Sequence, residues 1–494
     1  MDIDKKGVHG LVKNKVSFWQ MTFFVIVGIG VYGFAYATAG GFTDTAGDAA
    51  IYVGILGLIL VTLLTLPVLE YTRLVKFEGG YYGMAEMGFG KNVGNFTAFN
   101  NYIYYIFVYV GNATITGMLM VAGYDLITGV MAPLWVFFAI VIVTLVAQYL
   151  GSILRVENLG RVVAYSSIIQ IAVVIVASVY VILKTPYNSF IFLNPTSGPG
   201  GFSGIALGAS IAGFLTFTGY GSPLFYSEEG KASWSTVWKS VIVGLVISVA
   251  VGSIAVYAEV AALSNISYVA SSPIPLLTAF GPYFGTIGLL FFWAMWIPTF
   301  YLGMPGMSAA QNRLVYSMVR DNFIKIKWLG KLDEKGTPKN AGLFNFAIGV
   351  VITIVIGIVL IQVYGYNINT LFYLAFSPFT TAVIVWYFHH IIPELGLYRA
   401  YRKYKIKVSL ARKITLGIIV PIVATIVFLY AFYEGIISDL AEPYFAFVLM
   451  GFVALMIDAV YIVIKAIKKE QGKSVIADLL LETQKEKEGE VTKT

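Results

Sequence analysis

Twelve times along its 494 residues this chain runs apolar for about twenty residues or more before a short polar stretch interrupts it. A helix of about twenty apolar residues crosses the hydrocarbon core of a bilayer. There every backbone N–H and C=O has to be satisfied by protein, which leaves helices as the spanning element for such runs. The runs lie near 17–39, 49–74, 96–124, 131–151, 161–184 and 203–226, then near 237–263, 284–310, 341–364, 367–391, 413–436 and 443–467. We number them spans 1 to 12. The expected fold class is therefore an all-α integral membrane protein of about twelve transmembrane helices. Charged residues make up 12% of the chain, against roughly 25% in a soluble domain, so a soluble fold is excluded. Span 1 is too long for a signal-peptide core and lacks a small-residue cleavage site, so it reads as a retained span. Pro298 and Pro305 predict a kink in span 8.

The placement of charge orients the chain. Counted loop by loop, 32 of the 33 Lys and Arg residues fall on one side of the membrane, leaving Lys184 alone on the other. Short loops rich in Lys and Arg face the cytoplasm. The expected location is thus the cell membrane, multi-pass, with an N-tail (1–16) and a C-tail (468–494) both cytoplasmic. The tail is charged and reads as flexible, with a short amphipathic helix around Val475–Leu481. The net charge of +7 is scattered over many loops. It forms no coherent basic face of the kind nucleic acid requires. The absence of Cys removes disulfides, thiolate chemistry and cysteine metal sites. The three histidines, His9, His389 and His390, have no metal-ligand spacing. No metal or cofactor is implied, and His389 and His390, closing span 10, read as interfacial.

Two spans are interrupted at comparable places in the two halves. Span 1 carries Gly28, Gly30 and Gly33 in "FFVIVGIGVYGFAYATAGG", and span 6 carries Gly219, Gly221 and Pro223 in "GFLTFTGYGSPLFYSEEGK". Glycines also serve close helix packing, and for span 1 alone packing is the more economical reading. In span 6 glycine and proline coincide with Thr216, Thr218 and Ser222, and with the aromatic residues Phe214, Phe217 and Tyr220. Paired Gly/Pro-broken spans point to a transporter's midplane site. Half-helix N-termini there offer N–H groups to an anion, and the freed carbonyls can face a cation.

Three motifs in order carry a family resemblance. They are "EYTRLVKFEGGYYGMAEMGFGKNVGNF" after span 2, with Gly79, Gly80 and Tyr82; the span 6 run closing on Glu228–Glu229–Gly230–Lys231; and "AAQNRLVYSMVRDNFIKIKWLGKLDEKGTPKNA" after span 8. Over most of its length the chain resembles the amino acid–polyamine–organocation permeases. The resemblance implies the leucine-transporter fold, with inverted five-helix repeats at 17–184 and 203–392 and peripheral spans 11 and 12 at 413–467. It also implies that substrate carboxylate and amine bind the unwound parts of spans 1 and 6. Carried over, those parts are Gly28, Gly30, Tyr32 and Gly33 in span 1. In span 6 they are Phe217, Thr218, Gly219, Tyr220, Gly221 and Ser222. Either Gly28–Ile29–Gly30 or Val31–Tyr32–Gly33 can take the place of the family's small-residue turn in span 1. Tyr104, Asn112, Trp293 and Trp296 are further pocket or gate candidates, although Asn112 suits a helix–helix hydrogen bond and the tryptophans suit packing. Asp458 in span 12 reads as a structural hydrogen bond. In several proton-coupled relatives a span 5 lysine occupies the ion-binding place of sodium-coupled ones. Here that position is Gln170, and the acid expected in span 6 is Gly221.

The function so implied is secondary active transport of an amino acid or related small amine by alternating access. A channel would need charged rings or a carbonyl filter, and an intramembrane enzyme a nucleophile, paired acids or a metal cluster. The spans supply neither. A nutrient sensor of the same fold that binds without net transport stays open as the alternative. Participation of protons is left open by the residues, and the few formal charges near the breaks favour a neutral or apolar substrate.

Overall fold

The computed structural model describes residues 15–481 except 76, 78, 214–215, 228, 230–235 and 439. Phe214, Glu228, Gly230 and Lys231, and most of both tails, therefore lie outside the described residues. Among those described the protein is helical throughout, with no extended strand. Ten helices are long and apolar enough to cross a membrane. They match spans 2 to 5 and 7 to 12 of the sequence. Span 6 is a bent pair, Phe202–Gly213 and Thr218–Tyr226. Span 1 runs in pieces, Phe18–Ile29, Val31–Gly33, a π-helical Phe34–Thr38, and Ala39–Ala46.

Spans 3, 8 and 10 overrun their expected bounds most. Span 3, Lys91–Thr128, has 38 residues, or about 57 Å at 1.5 Å per residue, and overshoots the apolar core at both ends. Span 8 starts at Pro275 rather than near 284, ends at Arg320, and breaks its helix at Gly285, where φ is +60°. Its expected kink is a π-helical turn over Pro298–Gly303. Span 10, Ile368–Lys403, continues three turns past the predicted end despite Pro393. Hydropathy fell there because His389, His390 and Glu394 follow one another, not because the helix stops.

The exterior is an apolar belt, with Leu183 77%, Ile287 84% and Ile467 77% exposed. Leaving such residues bare is unfavourable in water and suits lipid. Polar side chains turn inward instead. The two ends of the described chain meet the same end of the bundle. Lys15 and Val16 donate backbone hydrogen bonds to the Glu229 carbonyl, and Lys473 donates one to the Asp321 carbonyl at the end of span 8. The described part of the tail docks there: Asn95 of span 3 donates to the Gln471 carbonyl. Ile476, Leu479 and Leu480 of the short helix at 476–481 bury their side chains.

Candidate functional site

Gly30 takes a left-handed conformation, φ +71°, and ends the first piece of span 1. A side chain is disfavoured at such a φ, which is why glycine stands at the break. Two residues before it, Gly28 packs its backbone directly on Gly219 of span 6. A Cβ on either glycine would overlap the other's carbonyl. Ser222 strengthens this crossing by donating to the Phe24 carbonyl at 3.0 Å. Tyr226 stacks on Phe24 with ring centroids 4.4 Å apart and donates to the Gly306 carbonyl of span 8. Gly28, Gly219 and Ser222 thus form a helix–helix contact that leaves no room between them.

The other candidates lie around the breaks. Tyr32, just past Gly30, donates its hydroxyl to the Phe292 carbonyl of span 8 at 2.5 Å. Trp296 stacks on Phe300 at 4.2 Å and lies 6.2 Å from the Tyr32 ring, and a Cβ on Gly33 would touch it. Phe217 sits edge-on to Phe34. From span 3, the Tyr104 hydroxyl lies 3.5 Å from the Thr218 carbonyl. Gly221 abuts the hydroxyl of Tyr81. Trp293 does not join this group: its indole N–H donates to the Met120 carbonyl at 3.1 Å and its ring lies against Gly123. Asn112 is buried beside Gly111, which packs on Phe379, and its side chain has no hydrogen bond among the described residues. The interhelical bond expected of Asn112 is therefore missing there. Asp458 does make one, accepting from Asn100 at 2.8 Å.

Gln170 reaches span 1 as expected, but through its oxygen. The Tyr32 backbone N–H donates to Oε1 at 3.3 Å, while Nε2 donates to the Ser166 hydroxyl, which donates to the Pro298 carbonyl. An N–H can only donate, so the amide orientation follows from its partner. A lysine at this position could not accept that bond.

The three sequence motifs converge near the end of span 8. Arg313 and Glu229, buried to 2% and 3% exposure, pair through Nε–Oε2 at 2.5 Å and Nη2–Oε1 at 3.1 Å. The guanidinium also lies 4.4 Å from the Tyr226 ring centroid. Tyr82 donates to Asp321 Oδ2 at 2.7 Å, and Arg320 and Lys91 supply the positive charge. Gly80, φ +59°, turns the chain into the short helix Tyr81–Phe89 that presents Tyr82. In the loop beyond, Asp333 accepts backbone hydrogen bonds from Thr337 and Lys335. These, with Lys339, hold its carboxyl below the ordinary range although burial works the other way.

A polar cluster beside the span 6 break was missed in the sequence. His389 and His390 are wholly buried, not interfacial. The Tyr220 hydroxyl bonds His390 Nε2, and His390 Nδ1 lies 2.7 Å from Glu394 Oε1. Their i, i+4 spacing on one helix face was the available signal. Glu259 in span 7 is likewise buried, with neither carboxylate oxygen partnered among the described residues.

Residues 16–457 match the profile of the amino acid permeases, AA_permease_2. The chain belongs to the amino acid permease family. Membership makes it a secondary transporter of amino acids rather than an enzyme. A curated relative, the branched-chain amino acid permease BcaP of Lactococcus lactis, is 27% identical over 325 residues, 63% of this permease and 68% of the relative. Among solved structures, the Eremococcus coleocola manganese transporter shares the fold. A mutant form of it superposes with a TM-score of 0.58 at 12% identity, covering 95% of this chain and 94% of that one. The same transporter bound to an aromatic bis-isothiourea substituted compound gives 0.56 at the same identity and coverage.

Proposed function

We propose that the permease carries a neutral amino acid with an apolar side chain across the cell membrane. Movement is by alternating access between inverted repeats at 17–184 and 203–392, with both termini cytoplasmic. The observation that carries this reading is the pairing of the two helix breaks. The break at Gly30 and the one preceding Thr218 lie on helices that cross at Gly28–Gly219, and aromatic rings from three spans flank them. N–H groups at the two breaks, apart from that of Tyr32 which Gln170 holds, suit the substrate carboxylate, and freed carbonyls suit its ammonium. Trp296, Tyr32 and Phe217 offer the side chain an apolar wall with no formal charge. The 27% identity to a branched-chain permease supports the same preference. Gln170 serves as a fixed polar brace for the broken part of span 1.

The test is uptake into proteoliposomes over an amino-acid panel, with and without proton and sodium gradients. Leucine, isoleucine, valine or another neutral apolar amino acid should be accumulated or exchanged in preference to charged ones. Saturable binding without accumulation or exchange would make the protein a sensor. Preference for a charged amino acid would overturn the substrate assignment.

A further inference from the structure

Among the buried acids of this permease, Glu394 has an unusual partner. Glu70 is taken up by Arg412 and Tyr401, Glu86 by Lys91, Glu229 by Arg313 and Asp321 by Arg320. Glu394 instead bonds His390, which can itself titrate, and its Oε2 has no hydrogen-bond partner among the described residues. Both side chains are wholly buried. Removing a carboxylate from water without a cation is expensive, and a proton relieves the cost. The pair therefore suits one exchangeable proton.

The groups around the pair leave that proton little competition. Tyr81 of the helix at 81–89, Tyr104 of span 3 and Tyr220 of span 6 face the two histidines with their rings or hydroxyls. Span 2 contributes Thr65, whose hydroxyl donates to the Val61 carbonyl and interacts with Tyr220, and Tyr71, which donates to the Pro393 carbonyl. Glu70, also of span 2, is held by Arg412 of span 11. Asp458 of span 12 is engaged with Asn100. Phe428 of span 11 covers Trp386, whose ring lies 4.5 Å from that of His390. In span 9 the ionisable residues, Lys339 and Tyr364, lie at the two ends of the helix. On span 10 itself, His389 bonds the Val385 carbonyl through Nδ1, which makes Nδ1 the protonated nitrogen, and its Nε2 has no partner among the described residues.

We propose that His390 and Glu394 form a single-proton site that couples proton movement to substrate, with the Tyr220 hydroxyl linking it to the broken segment of span 6. The proposal rests on the transport reading above. With the pair carrying one negative charge, His390 Nδ1–H donates to Glu394 and Nε2 accepts from Tyr220. Adding a proton at Nε2 leaves the imidazolium and carboxylate neutral as a pair. Nε2–H then donates, so the Tyr220 oxygen must accept. The tyrosine's own proton then turns away from the imidazole, on a side where the Thr65 and Tyr81 hydroxyls interact with it. Proton arrival thus reverses one hydrogen bond at a residue within the Thr218–Tyr226 turn. Substrate binding at that turn favours one of the two arrangements, and by reciprocity the proton affects substrate affinity equally.

The test uses the full-length permease in proteoliposomes loaded with a pH-reporting dye. Three quantities are measured: leucine counterflow at symmetric pH from 5 to 8, accumulation driven by a pH gradient, and leucine-evoked proton uptake. For one proton per substrate, accumulation approaches about tenfold per unit of pH gradient. Glu394→Gln should abolish leucine-evoked proton uptake, bring gradient-driven accumulation down to equilibration and flatten the pH profile of counterflow. His390→Gln keeps an acceptor for Tyr220 and should do the same, which protects the test should one variant fold poorly. A merely structural pair would lower rates without moving the profile or the proton count. Wild-type counterflow without any proton movement, or variants that keep wild-type accumulation per pH unit, would overturn the coupling proposal while leaving the transport reading intact. Absence of wild-type counterflow for any amino acid would instead defeat the transport reading.

Discussion

Replacing Arg313 by methionine would take its guanidinium away from the buried Glu229 carboxylate. The side chain of Glu229 is 3% exposed and Arg313 supplies both of its close contacts to a guanidinium, at 2.5 and 3.1 Å. Methionine keeps much of the stem that packs over Tyr226, so the change isolates the charge. Breaking a buried pair from one side costs about 3–5 kcal/mol, because an uncompensated charge remains. Screening hardly reduces this figure at such burial. At about 1.4 kcal/mol per tenfold, the folded-to-unfolded ratio should fall by roughly two to three and a half orders of magnitude. Glu229→Gln together with Arg313→Met removes both charges and should recover part of the loss, with a coupling of about 0.5–3 kcal/mol in the double-mutant cycle. Denaturant titration in detergent micelles measures all four corners. A loss below about 1 kcal/mol for Arg313→Met, or a double variant no better than the sum of the singles, would refute a desolvated pair. The pair also ties the end of span 6 to span 8, so uptake should suffer more in the single variant than in the double.

Gly219→Ala should cost about 1–3 kcal/mol as overpacking against the Gly28 carbonyl and abolish uptake; a variant of wild-type stability and uptake would show that the crossing tolerates a Cβ. For orientation, a single cysteine at Lys331 should label only from the cytoplasm and one at exposed Asp44 only from outside, and labelling of both from one side would sink the topology. Thr43 beside it is unsuited to this test, being buried with its hydroxyl bonded to the Gly40 carbonyl. Gln170→Ala should weaken uptake without shifting its pH profile, and Gln170→Lys should weaken it further because an ammonium would face the Tyr32 N–H donor to donor; a lysine variant better than alanine would contradict the brace. Uptake in sodium-free buffer should equal uptake with sodium, since sodium wants several oxygen ligands and Thr299 near the span 8 kink stands without an adjacent hydroxyl; a strict sodium requirement would contradict this.

How far the sequence could be read depended on the solvent each residue meets. Spans facing lipid were legible because their apolar character is uniform, and the belt around Leu183 and Ile467 follows from it directly. The breaks were legible too, since glycine and proline report backbone conformation locally, and Gly30 does adopt a positive φ. What stayed hidden were contacts between distant segments. Gly28 and Gly219 touch each other although most of the first half of the chain separates them. Nothing local distinguishes a glycine that admits a substrate from one that admits another backbone. Trp293 and Trp296 lie one turn apart and are equivalent by sequence, but only Trp296 lies against Gly33, three residues past the break at Gly30, while Trp293 donates to Met120. The largest misreading concerned span 10. A falling hydropathy window at His389, His390 and Glu394 looks like a membrane boundary. The same three residues, read by helical period instead, place His390 and Glu394 on one face. In hydrocarbon such groups are retained only where protein surrounds them, so polarity inside a helical run marks an interior face as readily as an end. Tyr220 completes the logic from the other side. By sequence it belongs to the broken part of span 6, and its hydroxyl is what joins that part to the histidine–glutamate pair.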